Sequence, residues 1–164
     1  MKTQYSKAPM IIVLVMSLSF WSAAMAQEEG KSPDEPQHVL TSPGELQWRD
    51  GPLPGTQLVV MEGNPKNPGP FTMRLKLPAD YKIPPHWHPA DERVTVISGT
   101  FNVGRGDRFD QANGKMLPTG SFMLMPPKMK HFAWVKEETI IQINGVGPWA
   151  LNFVNPADDP RKKQ

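Results

Sequence analysis

Proline and glycine, 19 and 13 of 164 residues, interrupt this chain too often for a helix to persist. Past Leu46 no stretch of ten residues keeps an apolar face at helical spacing, while short alternating or apolar runs recur between the interruptions. Nine such runs predict strands: Gln57 to Glu62, Phe71 to Leu77, Ile83 to His88, Arg93 to Ser98, Thr100 to Gly104, Ser121 to Met125, His131 to Val135, Thr139 to Gly145 and Ala150 to Val154. Gly63-Asn64-Pro65, Asn67-Pro68-Gly69-Pro70, Gly104-Arg105-Gly106-Asp107, Asn113-Gly114 and Pro118-Thr119-Gly120 supply turn chemistry between them. Arg105-Gly106-Asp107 reads as a hairpin loop. Short strands at this spacing describe an all-β sandwich or barrel.

The ends have a different character. Lys2 and Lys7 precede an apolar run from Met10 to Phe20, and Ala24-Met25-Ala26 places small residues where a signal peptidase reads them, so residues 1–26 are expected to be an export signal cut after Ala26. That run is shorter than the roughly 18–20 residues of a spanning helix, so no stable membrane anchor is expected after cleavage. The destination is then periplasmic or secreted. Residues 27–45, polar and carrying Pro33, Pro36 and Pro43, read as a flexible arm that includes His38. One domain, residues 46–154, follows, and residues 155–164 read as a polar tail.

Loss of Lys2 and Lys7 leaves 16 basic residues against 16 acidic ones, a balance that offers no basic field to a nucleic acid. With no cysteine, neither disulfides nor thiolate ligands are available, so any metal site is built from His and carboxylate. Nucleotide-cradling glycine loops and GxSxG elbows are also missing from the sequence.

Chemistry concentrates around His86-Trp87-His88. Side chains alternate along a strand, so both imidazoles face one way, about 6 to 7 Å apart at the backbone. Glu92 opens the next strand, and a short reversal through Pro89-Ala90-Asp91 swings its carboxylate back over the histidines. His131 arrives at the start of another strand, after Met125-Pro126-Pro127-Lys128-Met129-Lys130. His86, His88, Glu92 and His131 are therefore candidate ligands for one divalent ion, of which Fe, Mn, Ni, Cu and Zn all accept such donors. The other HxH architectures do not fit: one needs HxHxDH, where this chain has Ala90 and Asp91, and amidohydrolase barrels need roughly 250 residues.

These residues resemble the motifs of the cupin superfamily. The first motif, HxH, then Glu, then six residues and Gly, is matched by His86, His88, Glu92 and Gly99. The second, Gly, five residues, Pro, one residue, Gly, two residues, His, is matched by Gly120, Pro126 and His131, with Lys128 where a turn glycine is usual. The resemblance covers roughly Leu46 to Val154 and implies a jelly-roll barrel, a double-stranded β-helix, whose four ligands hold one divalent ion.

It also implies a function on a small molecule. A dioxygenase-like oxidoreductase is one reading, with Glu92 leaving the ion to act as base, or Asp91 or Tyr81 approaching from the rim; Asp91 otherwise caps the turn. A non-catalytic cupin that binds a metal or senses a small ligand is the other main reading, and a metal-free barrel is a third. Parity turns Trp87, Phe132 and Trp134 outward beside Ile97, and such aromatics need a cover, which points to a homodimer. The same parity places Val94, Val96, Met123, Met125, Ala133 and Val135 on the inner face as expected cavity lining.

Overall fold

The computed structural model describes residues 39–162. The expected signal segment and its cleavage site, most of the arm with His38, and residues 163–164 lie outside the described residues.

Eleven strands form in chain order: β1 (Arg49–Asp50), β2 (Gln57–Glu62), β3 (Gly69–Leu77), β4 (Lys82–Trp87), β5 (Glu92–Ser98), β6 (Thr100–Arg105), β7 (Gly114–Pro118), β8 (Phe122–Met125), β9 (His131–Trp134), β10 (Thr139–Gly147) and β11 (Asn152–Phe153). Every pairing is antiparallel. One sheet runs β1-β2-β3-β10-β5-β8 and the other β11-β4-β9-β6-β7. Two sheets that each bury one face are what the alternating runs require.

The alternation is clearest where β3, β10 and β5 lie side by side. Phe71, Met73, Leu75 and Leu77 point inward from β3; Ile143 and Ile141 stand opposite Met73 and Leu75 on one side and opposite Val94 and Val96 on the other. Each such side chain, fully buried, contributes about 1.5–3 kcal/mol. The outer face of the same strands is polar and cross-linked: Arg74 Nε donates to Gln142 Oε1 at 3.1 Å, and Asn144 Nδ2 donates to Thr72 Oγ1 at 2.8 Å. Glu92 is a conspicuous exception to this order, because it shares the inner face of β5 with Val94 and Val96 and is buried with them.

Two strands escape sequence reasoning. β1 is a polar two-residue bridge, and β7 lies between Gly114 and Pro118 with only Leu117 buried, so both lack an apolar pattern. The run from Ala150 to Val154 shortens to Asn152–Phe153. The expected tail is partly folded: short 3-10 turns occur at Pro156–Asp158 and Pro160–Lys162, and buried Asp159 accepts two bonds of 2.7 Å from the Arg161 guanidinium, which also lies over Phe153. A two-pronged, charge-assisted contact holds this segment where composition predicted a free end.

The outward aromatics also find a different cover. Phe132 and Trp134 are 1% and 8% exposed, because Phe109 from the β6–β7 connection packs on both, 5.0 and 5.8 Å between ring centres. Gly104 admits the Phe132 ring, where a Cβ would stand 2.2 Å from Cζ. The chain therefore covers these rings itself, and they give no support to a homodimer.

The motif positions behave as turns. Gly99 adopts φ +75° between β5 and β6, and Lys128, in the usual glycine position, adopts φ +63°. Lys128 keeps the glycine-like geometry rather than distorting the loop, and its N–H donates to the His88 carbonyl at 2.8 Å. A side chain in this region costs about 1–2 kcal/mol, partly offset by the greater unfolded freedom of glycine. Lys128→Gly is therefore expected to raise stability by roughly 0.5–1 kcal/mol in denaturant melts; a loss of stability would show that the lysine side chain itself supports the loop.

Candidate metal centre

Three adjoining segments bring the four candidate side chains together. His86 lies in β4 directly opposite His131, the first residue of β9; His88 follows the last residue of β4, and Glu92 opens β5 after the turn. All four are buried, with exposures of 1–5%. The ligand-capable nitrogens of His86, His88 and His131 all lie within 4.8 Å of one another, so this group can hold a metal ion. Glu92 joins it, with Oε1 3.5 Å from His88 Nε2 and Oε2 3.2 Å from His131 Nε2. Donors about 2.1 Å from one ion stand roughly 3.0–3.4 Å apart at adjacent positions; the His131 separation falls in that range and the His88 separation just above it.

The other ring nitrogens decide the chemistry. His86 Nδ1 lies 2.7 Å from the Pro84 carbonyl, His88 Nδ1 2.9 Å from the Ala150 carbonyl and His131 Nδ1 2.9 Å from the Met129 carbonyl. A carbonyl can only accept, so each Nδ1 carries a proton, and each ring, when neutral, presents the lone pair of Nε2 to the centre. Three lone pairs then face a carboxylate, four acceptors with no donor among them. His88 Nε2 and Glu92 Oε2 are accordingly buried without a hydrogen-bond partner. Such a set suits a cation, and the residues present fit a divalent ion.

Burial also biases protonation. Burial pushes His86 down to about 3, helped by the neighbouring His131 and His88, and burial lowers His88 as well. For Glu92 burial works to raise the value, but a hydrogen bond donated by His131 and the charges of His88, His131 and His86, all of which need a proton on the ring nitrogens that face the centre, outweigh it and lower the carboxyl to about 2. Burial thus favours the neutral, ligand form of His86 and His88, and the anionic form of Glu92 is favoured beside them.

The four groups lie along a cavity of about 50 Å³ whose other walls are apolar, among them Met73, Leu75, Phe101, Ile141 and Ile143. Of the residues expected to line it, only Ala133 does; Val94, Val96, Met123, Met125 and Val135 are buried in the core instead. Parity identified their inner face correctly, but the free space lies towards β3 and β10 and under the loops at Pro52-Leu53 and Trp149-Leu151. Tyr81 is not a rim base, since its hydroxyl donates to the Pro54 carbonyl at 2.9 Å; Asp91 accepts from Arg93 Nη2 at 2.7 Å.

Sequence reasoning missed Trp149. Its ring stacks on His88 at 4.1 Å between centres and 14° between planes, meets Phe71 edge-on, and forms part of the cavity wall. It follows Gly147-Pro148, a turn signal, and nothing in the local pattern connects it with His88, 61 positions earlier in the chain.

Antiparallel sheets enclosing a cluster of histidines at one end of the interior define a cupin, a double-stranded β-helix. The chain belongs to the ChrR cupin-like family, whose model matches residues 36–150. No curated protein matches the sequence. Among solved structures it is similar to the polyketide cyclase RemF from Streptomyces resistomycificus, at 14% identity and TM-score 0.64 over 77% of this chain and 92% of that one. It is also similar to an uncharacterized conserved protein with a double-stranded β-helix domain from Klebsiella pneumoniae, at 19% identity and TM-score 0.53 over 71% and 98%. A third similar structure is salicylate 1,2-dioxygenase from Pseudoaminobacter salicylatoxidans, at 12% identity and TM-score 0.53 over 65% of this chain and 31% of that one. At such identities these likenesses concern the fold alone.

The pH dependence follows from the shifts. Below pH 6.5 an unfolded His86 takes up a proton that the folded site refuses until about pH 3, and Glu92 behaves likewise between 4.5 and about 2. Both contributions are fully present above pH 6.5 and are lost as the pH falls. The melting temperature of chelator-treated protein is expected to fall from pH 7 to pH 4, more steeply than that of His86→Gln; equal slopes would show that His86 titrates normally.

Proposed function

We propose that this chain is an exported metallocupin in which His86, His88, Glu92 and His131 hold one divalent ion, and that it acts as a dioxygenase-like oxidoreductase on a small organic molecule. The observation that carries this reading is the convergence of three oriented Nε2 lone pairs and one carboxylate on a buried point beside an apolar cavity. When bound, a divalent ion supplies Lewis acidity and, where redox-active, one-electron chemistry towards dioxygen. Four protein donors would leave two positions of a six-coordinate ion, or one of a five-coordinate ion, for small ligands.

The chain's own residues do the rest. The carbonyls of Pro84, Ala150 and Met129 fix the imidazole orientations, and the apolar walls exclude bulk water and so strengthen every charge interaction inside. Glu92 is the carboxylate beside the cavity and the candidate base.

A second reading, non-catalytic binding of a metal or small ligand, is favoured by one observation. Apart from the four clustered groups, no acid or base lines the cavity among the described residues, and its volume is far below the roughly 300 Å³ at which pockets for drug-sized ligands begin.

Metal analysis separates these readings. Protein purified from its exported compartment without added metal is expected to carry about one equivalent of a redox-active ion, to lose it in the His86→Ala, His131→Ala double variant, and to consume dioxygen with some small substrate. Zinc alone, without oxygen uptake, would favour the binding role; no metal in either protein would overturn the metallocupin reading.

Export and pairing complete the proposal. Phe122 and Leu124 on β8 and Met116 on β7, exposed by 61, 45 and 66%, take over from the covered aromatics as the apolar surface for a homodimer. Native mass spectrometry of the exported protein is expected to show chains beginning at Gln27 and paired; a full-length chain would exclude cleavage, and monomers at micromolar concentration would exclude the dimer.

A further inference from the structure

An organic molecule reaches the clustered groups only if a wall of the cavity gives way. His86, His88, Glu92 and His131 are 1–5% exposed, and the space beside them is about 50 Å³. Which wall yields follows from how each is held. β3 is paired on both edges, by β2 and β10, and β10 is paired by β3 and β5, so neither moves without breaking a sheet. The loop through Trp149, Ala150 and Leu151 is tied to three separate parts of the molecule. Trp149 N–H donates to the Pro65 carbonyl at 2.7 Å, the Ala150 carbonyl accepts from His88 Nδ1 at 2.9 Å, and the Leu151 carbonyl accepts from Arg161 Nη2 at 3.4 Å.

The turn joining β1 to β2 is held differently, because most of its bonds close on itself. Gly51 N–H donates to the Thr56 carbonyl at 2.8 Å, and the Thr56 N–H and hydroxyl both donate to the Leu53 carbonyl, at 3.1 and 2.7 Å. Among the described residues, one hydrogen bond joins residues 51–56 to the chain beyond this hairpin, from the Tyr81 hydroxyl to the Pro54 carbonyl at 2.9 Å. Leu53, 3% exposed, reaches from the turn into the cavity wall. A hollow of about 530 Å³, lined by residues 50–56 and Arg161, adjoins the same turn and leaves it space to move. A self-bonded turn with one outside tether, one apolar anchor and free space beside it is the part of the wall that opens most readily.

We propose that residues 52–55 are the gate of the cavity: Leu53 is the plug, the Tyr81 hydroxyl is the latch, and the turn swings out as a unit while the Trp149 loop stays in place. The gate concerns the route to the cavity and holds whether the centre carries a redox ion, zinc or neither.

The chain has no cysteine, so a thiol introduced by Met73→Cys, at a buried position of β3 in the cavity wall, reports entry without background. Iodoacetamide is the probe, and its attachment to the protein as purified is followed by mass spectrometry. In this background Leu53→Ala is expected to speed alkylation by about tenfold or more and Tyr81→Phe by roughly two- to tenfold, through loss of an apolar anchor and of one hydrogen bond. Leu151→Ala, the same truncation in the tied loop, is expected to change the rate by less than about twofold. Amide hydrogen exchange in β3 and β10, unchanged in Tyr81→Phe, separates gate opening from global unfolding. If Leu53→Ala does not fold, Tyr81→Phe, which removes a single oxygen, decides. The gate is overturned by equal rates in Tyr81→Phe and its parent, by a Leu151→Ala effect as large as that of Leu53→Ala, or by alkylation that keeps pace with β3 and β10 exchange in every variant. Alkylation of the parent as fast as a free thiol would likewise show that the cavity has no gate.

Discussion

Four hydrogen-bond acceptors meet at one buried point of this barrel, and the surrounding structure is arranged to keep them there. Each imidazole has its Nδ1 proton taken by a backbone carbonyl, of Pro84, Ala150 or Met129, so each Nε2 must face the centre as a lone pair. Glu92 faces the same point from the inner side of β5. Mutual repulsion among such groups in a low-dielectric interior is severe, and a bound cation converts it into attraction. The carbonyls thus act at one remove, by denying the rings any other tautomer.

Holding that point dry requires the two sheets to close over it. The inner faces of β3, β5 and β10 supply Met73, Leu75, Val94, Ile141 and Ile143, and the loop carrying Trp149 lies against His88. The same loop provides the carbonyl for His88 Nδ1, so one short segment both orients this imidazole and shapes the cavity. On the other side, the Lys128 N–H holds the His88 carbonyl, which places the left-handed turn before β9 under the centre's control as well.

Much of the site was legible because the relevant contacts are local or repeat with the strand period. His86 and His88 share a face by alternation, Glu92 returns after a turn, and His131 begins a strand, so the spacing alone singles out the four side chains that the fold brings together. Inner-face parity was also sound, since Val94, Val96, Ala133 and Val135 are all buried. What alternation cannot tell is which part of an interior stays open, and the cavity lies on the β3–β10 side, away from most residues that parity suggested. Nor can it say what covers an outward ring: Phe109, in a loop with no apolar pattern, closes over Phe132 and Trp134.

The sequence by itself determined the all-β class, through proline and glycine punctuation and alternating runs, and singled out the buried cluster, through spacings of two, four and 39 residues along His86, His88, Glu92 and His131. Both depend on steric and hydrogen-bonding rules that act over a few residues. Tertiary structure alone decided the imidazole tautomers, the position of Trp149, the volume of the cavity and the folding-back of Asp159 and Arg161. Those depend on pairs of groups distant in the chain, such as His88 and Ala150, whose meeting is set by how the two sheets close and is not encoded in any local pattern.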